Sequence, residues 1–232
     1  MTISVYLKDA NFTDFLASTA PVPDGLQVLI RPRLDASTAE KNEAFNKDDV
    51  FQNGTPTYKA YSASDINASN FYESQFTPSA SGEATYIALM KEPQAQSRFL
   101  GNFFDTDGVG DMVDYISSTG TIRAFNNGKS ASIVMPTVDA AKFRLFFAAF
   151  KPLETTVGYS DGGIINPYTA SSTEDRTTLP ARMARLGWAY SGSNANNEVA
   201  AFLVWDRYLS VAEIKEVQEW LVGVYGANLD IT

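Results

Sequence analysis

EVAAFLVWDRYLSVAEIKEVQEWLVGVYG, residues 198–226, is the stretch that decides the fold. Val199 to Trp205 is apolar at every position, and a strand carries such a run when both of its faces are covered. Asp206-Arg207 breaks the run. Ser210 followed by Glu213 forms a capping box, in which each side chain satisfies an open amide of the first helical turn. Ile214, Val217, Leu221 and Val224 then recur at helical spacing as a single apolar stripe, and Gly226 stands where a helix stops. The expected unit is a doubly covered strand followed by one helix, packed by its stripe onto a sheet.

Working back from that unit, strand signals come at short intervals as far as Glu83. Phe143 to Phe150 is a long apolar run, and Thr156 to Tyr159 follows it, ending at Asp161-Gly162-Gly163. Thr121 to Phe125 ends at Asn126-Asn127-Gly128, a hairpin cue because Asn and Gly tolerate positive φ, and Ser132 to Met135 answers it. Tyr86 to Met90 is a further apolar strand, and Phe99-Leu100 and Phe103-Phe104 flank Gly101-Asn102. Many short strands separated by Gly, Asn, Asp and Pro predict an all-β antiparallel sandwich. Residues 31–81 are polar with brief apolar pieces and read either as elaborated loops or as partly covering structure. Residues 1–23 read as an N-terminal arm or edge strand, stopped at Pro21-Val22-Pro23. The expected division is therefore an arm over 1–23 and one β-domain over 24–232.

Composition narrows function. A chain of 232 residues buries roughly 70 % or more of its unfolded surface and needs no covalent staples. Fifteen Phe, eleven Tyr and three Trp, spread through the chain, suit an aromatic sandwich core. The net charge of −9 repels a phosphate backbone, and no Lys/Arg cluster offsets it, so neither nucleic acid nor an anionic membrane is an expected partner. Cysteine and histidine are absent, which removes disulfides, thiolate or imidazole metal sites and Ser-His-Asp catalysis together. The start, Met1-Thr2-Ile3-Ser4-Val5, shows no signal-peptide pattern, and no apolar run reaches the length of a membrane span. The sequons at Asn11, Asn53 and Asn67 are read as chance.

The 198–226 stretch resembles the closing signature of concanavalin A-like (laminin-G-like) jelly rolls. In that family a strand of the form I-Y-D-R-A-L-S runs into a helix ending Y-L-x-x-x-Y-G. Trp205-Asp206-Arg207, Leu209-Ser210, Glu213-Ile214, Leu221 and Tyr225-Gly226 occupy the matching places. Arg185-Leu186-Gly187 is similar to the family's R-I-G strand and turn, and Thr85 to Lys91 to its early strand. The family's glycine before the last strand is Asn197 here. The resemblance implies a jelly-roll sandwich with one C-terminal helix, a fold that hosts lectins, hydrolases and structural modules. Such domains occur in bacteriophage and bacterial surface proteins. The expected protein is thus a virion module made in a host cytoplasm. It would bind host-surface carbohydrate or, alternatively, act structurally on other virion proteins, with homo-oligomerisation open.

Candidate chemistry follows from residue type. Glycosidases of this fold place carboxylates at alternate positions of one strand, because only every second side chain enters the cleft. Here the only acidic residues separated by a single position are Asp105 and Asp107, in a turn-like Asp-Thr-Asp-Gly, so the chain is expected not to be an enzyme; the alternative is a glycoside hydrolase whose carboxylates converge from distant positions. Asp105, Asp107 and Asp111 are the candidate calcium ligands, since calcium takes several hard oxygens on a Gly-permitted loop; the competing reading is an ordinary turn. For sugar binding the candidates are Tyr159 with Asp161, Tyr168, Trp188 with Tyr190, and Asn194; the competing reading for each is packing. Trp205 and Trp220 are assigned to the core or the helix–sheet seam.

Overall fold

The computed structural model describes residues 20–79, 82–127, 129–135, 139–177, 182–190 and 195–232. They form two antiparallel sheets. Eight strands make the first: β1 (Leu26–Ile30), β3 (Thr57–Tyr58), β4 (Ala63–Ile66), β6 (Ala84–Lys91), β11 (Phe143–Lys151), β12 (Glu154–Asp161), β13 (Ile164–Ser171) and β15 (Asn197–Trp205). Their order is β13-β12-β11-β6-β15-β4-β3, with β1 also paired to β15. Seven strands make the second: β2 (Phe51–Asn53), β5 (Phe71–Glu73), β7 (Ser97–Gly101), β8 (Asp111–Ile116), β9 (Thr121–Asn126), β10 (Lys129–Val134) and β14 (Arg185–Leu186). These run in the order β10-β9-β8-β7-β14-β5-β2. A one-turn helix, α1 (Ala36–Ala39), and a C-terminal helix, α2 (Val211–Tyr225), complete the elements.

Period-two alternation sorts the first sheet's side chains into two cores. Tyr86, Ala88, Met90, Phe146, Phe150, Phe202 and Val204 face inward and meet Tyr72, Phe99, Val113, Ile122 and Leu186 of the second sheet. Rings cross between elements, with Tyr86 edge-on to Phe150 at 5.9 Å and Phe99 against Phe146 at 5.9 Å. The alternate residues Ile87, Leu89, Leu145, Phe147, Leu203 and Trp205 face outward and take the α2 stripe of Ile214, Val217, Leu221 and Tyr225. That second burial, about 1.5–3 kcal/mol for each large side chain, is why β15 is apolar throughout. Tyr225 seals the seam by donating to the carbonyl of Ala200 at 2.9 Å. Ala20 and Val22, the end of the proposed arm, are buried in this same seam, and the Trp205 indole donates to the Val22 carbonyl at 2.8 Å.

The capping box forms as read: Ser210 Oγ accepts from the Glu213 amide at 3.3 Å, and the Ser210 amide donates to Glu213 Oε2 at 2.8 Å. Asn197, where the resembled family has glycine, is buried. Its amide donates to Ser97 Oγ at 2.8 Å and to the Ile66 carbonyl at 3.2 Å. It stands at the β15 bulge against β4, so an asparagine serves here by tying three strands together. The polar tract 31–81 contains α1 and the short strands β2 to β5. No helix among the described residues is long and apolar enough to cross a membrane.

Candidate functional site

The central strands of the first sheet are covered on both faces, and the outward face of the second sheet is a place where side chains meet solvent across several strands. Tyr72, Leu186, Val113, Ile122 and Ala124 point into the core, so alternation turns Phe71, Glu73, Arg185, Asp114, Arg123 and Phe125 outward. Register then decides who meets whom. Arg185 lies opposite Glu73, and its Nε donates to Glu73 Oε2 at 2.8 Å. Arg123 lies opposite Asp114 and binds it through two nitrogens, at 3.0 and 2.6 Å. Arg98 lies on the other flank of Asp114 and holds Asp105 at 2.9 Å. Arg182, just before β14, reaches across to Asp107 at 2.5 Å.

Rings fill the spaces between these pairs. The Arg185 guanidinium lies 3.4 Å from the Tyr190 ring centre, 4.5 Å from Phe71 and 5.2 Å from Trp188. Arg182 lies 5.3 Å from Phe104 and 5.5 Å from Tyr190, Arg98 lies 5.8 Å from Phe103, and Arg123 lies 5.7 Å from Phe125. Trp188 and Tyr190 are half-buried and nearly parallel, 26° apart with centres 6.5 Å apart. Tyr190 takes φ +57°, an uncommon conformation for a bulky residue that sets its ring beside Trp188. Burial pushes its phenol above the usual range, against the pull of Arg185 and Arg182.

Two glycines let the chain enter this face. Gly187 follows β14 at φ +100°, and a Cβ there would lie 2.2 Å from Ile66 Cγ2. Gly101 ends β7 at φ +126°, and a Cβ there would lie 2.0 Å from the Asp111 carbonyl oxygen. Chemically, the face offers partly exposed indole and phenol rings beside fixed guanidinium donors and carboxylate acceptors. That combination of an apolar platform with a few oriented polar groups is what small-molecule recognition requires.

The residues singled out in the sequence do not gather into one site. Trp188 and Tyr190 lie together in the face just described. Tyr159 is buried in the inter-sheet core with Arg144 5.6 Å from its ring, and Asp161 meets the same Arg144 at 3.4 Å, so this pair belongs to the first sheet. Tyr168 is exposed on the edge strand β13. Asn194 lies outside the described residues. The three candidate calcium ligands have three different cationic partners: Asp105 has Arg98, Asp107 has Arg182, and Asp111 is buried against Arg176. Arginine holds the Asp107 carboxyl below its usual range. Among the described residues no group of three or more His, Cys, Asp or Glu side chains is placed to hold a metal ion. Sequence reasoning missed Phe71, Glu73, Arg182 and Arg185 as site residues. The R-L-G motif marked Arg185 as structural, and nothing local marks Glu73 as its partner.

No family model matches the chain, and no curated protein does so either. Solved structures do match. The receptor-binding domain of botulinum neurotoxin C/D mosaic serotype is similar over 85 % of this chain and 51 % of its own, at 10 % identity and TM-score 0.60. Trypanosoma rangeli sialidase, in complex with the inhibitor DANA, matches over 88 % of this chain and 36 % of its own, at 14 % identity and TM-score 0.61. A GH54 α-L-arabinofuranosidase matches over 79 % and 50 %, at 12 % identity and TM-score 0.58. The chain thus spans about half of the toxin domain's length and about a third of the sialidase's. These likenesses show the fold, a β-sandwich of the kind found in sugar-binding and sugar-cleaving proteins. They also correct one expectation. Because the same sandwich occurs in glycoside hydrolases, the lack of alternating carboxylates on one strand does not support reading the chain as a non-enzyme. Catalytic carboxylates can come from different elements, and one strand's spacing says nothing about them.

Proposed function

We propose that the chain binds carbohydrate through the outward face of its second sheet. The observation that carries this reading is the near-parallel Trp188–Tyr190 pair, partly exposed and set beside the Arg185–Glu73 bridge. The apolar C–H face of a sugar ring stacks on such rings, while its hydroxyls donate to carboxylate and accept from guanidinium. Rigid amphipathic aromatics provide contact area at low conformational cost. The neighbours support the same reading from outside: one toxin binding domain is recorded in complex with SialylT, and the sialidase in complex with 2,3-difluoro-KDN.

The test is a glycan array on the purified chain, repeated with Trp188→Ala and Tyr190→Ala. Binding to a defined glycan class that falls at least about tenfold in both folded variants supports the site. A blank array, or binding unchanged in both variants, removes it. The setting we propose, a virion or comparable assembled particle, is supported by the jelly-roll closing motif and the absence of cysteine. Mass spectrometry of purified particles carrying the gene decides it.

A further inference from the structure

We infer that the face selects uncharged glycans over acidic ones, an inference that rests on the carbohydrate-binding role proposed above. Sugar carboxylates are bound most strongly by a guanidinium that can offer two parallel N–H groups. Four guanidiniums stand on this face, and each already holds a carboxylate of the protein: Arg185 with Glu73, Arg98 with Asp105, Arg123 with Asp114, and Arg182 with Asp107. Four cations and four anions leave the face without net charge, on a chain whose total is −9.

At each arginine an acidic ligand would compete with a carboxylate tethered beside it, and an intramolecular competitor acts at high effective concentration; at any N–H group left over it would approach that carboxylate's like charge. Arg123 is the firmest case, because Asp114 has no exposed surface and cannot leave without stranding a buried charge. The second route, an unpaired guanidinium plane, is closed as well, since rings lie within 3.4 to 5.8 Å of all four. A neutral polyol meets neither obstacle. The lone pairs left on the three accessible carboxylates, Glu73, Asp105 and Asp107, accept from its hydroxyls, and a ligand carboxylate in their place would meet like charge. Such selectivity comes from repulsion built against the wrong ligand as well as attraction to the right one.

The experiment is an array of matched glycan pairs, each neutral structure printed beside its sialylated and uronate counterparts, read between about 0.01 and 1 M ionic strength. Neutral members are expected to bind, with affinity changing less than about twofold across that range, and acidic counterparts to bind at least about tenfold more weakly. Preferential binding of the acidic members overturns the inference and leaves the carbohydrate role standing; a blank array overturns both. Two further variants test the cause. Glu73→Gln and Asp107→Asn each strip one arginine of its partner, and at least one folded variant is expected to gain binding to the acidic members. If both fold, as judged by circular dichroism and melting, and neither gains it, the pairing argument is wrong.

Discussion

Replacing Asp111 with Asn is expected to be the most destabilising single change in the Asp105–Asp111 loop, although the sequence presents its three aspartates as equivalents. Asp111 is fully buried and Arg176 nearly so, at 3 % exposure. Both carboxylate oxygens are engaged by Arg176, Oδ2 also accepts from the Tyr86 hydroxyl at 2.8 Å, and Oδ1 accepts from the Asn126 amide at 2.8 Å. Arg176 in turn donates to the carbonyls of Ser79 and Gly82, at 2.9 and 2.6 Å. Burial pushes the Tyr86 phenol far above its usual range, and the neighbouring Asp111 charge pushes it the same way. Removing one partner of such a pair leaves the other as an uncompensated charge and costs about 3–5 kcal/mol. For a chain of this size that is a fall in Tm of roughly 6–20 °C. Urea unfolding followed by tryptophan fluorescence reads it directly, with Asp105→Asn as the comparison. The Arg98–Asp105 pair is more than half exposed on its acidic side, and its loss is expected to cost less than about 1 kcal/mol. An Asp111→Asn variant within about 1 kcal/mol of the parent, or an Asp105→Asn variant losing as much, would refute the burial argument. Combining Asp111→Leu with Arg176→Met is expected to recover most of the loss, because apolar replacement of both partners removes the desolvation cost.

Other outcomes follow from local geometry. Gly101→Ala places a Cβ 2.0 Å from the Asp111 carbonyl at φ +126° and is expected to cost at least about 2 kcal/mol by denaturant midpoint, since a strained backbone position combines with a clash. Ser210→Ala removes the α2 cap and is expected to cost about 1 kcal/mol on the same assay. Glu213 has its carboxyl lowered from 4.5 to about 2, first by the Arg207 guanidinium. A depressed carboxylate stabilises the fold fully above its unfolded value and loses that contribution as pH falls toward the folded one. The stability gap between the parent and Glu213→Gln is therefore expected to be constant near neutral pH and to close between pH 4.5 and about 2. A gap that does not change across that window contradicts the assignment.

The elements that read most clearly are those whose periodicity is enforced by burial. Tyr86–Met90, Phe143–Phe150 and Val199–Trp205 are central strands of the doubly covered sheet, so their apolar runs were legible, and β6, β11 and β15 run past them by no more than two residues at any end. The strands of the 31–81 tract were not read as strands. They are two to four residues long, too short to show a period, and β2 and β3 lie at sheet edges, where half the backbone is unpaired and few positions need to be apolar. The site was half legible. Trp188 and Tyr190 stood out as aromatics beside a polar loop, but their partners are set by register: Arg185 meets Glu73 across 112 residues of chain and Arg182 meets Asp107 across 75. Tyr159 looked equivalent to Tyr190 in sequence, yet the strand parity of β12 turns it into the core. Asp105, Asp107 and Asp111 looked like one ligand set because spacing is visible and the positions of arginines are not.

The most direct test of the account is to map where a glycan sits. The chain is labelled with nitrogen-15 and titrated with a glycan that binds on the array, and amide shifts are followed residue by residue. The perturbed amides are expected to cluster on the outward face of the second sheet: Phe71 to Glu73, Arg98 to Phe104, Arg123 to Phe125 and Arg182 to Tyr190. Perturbations confined to the far sheet, around Tyr159, Asp161 and Tyr168, would contradict the assignment of the site while leaving the fold intact.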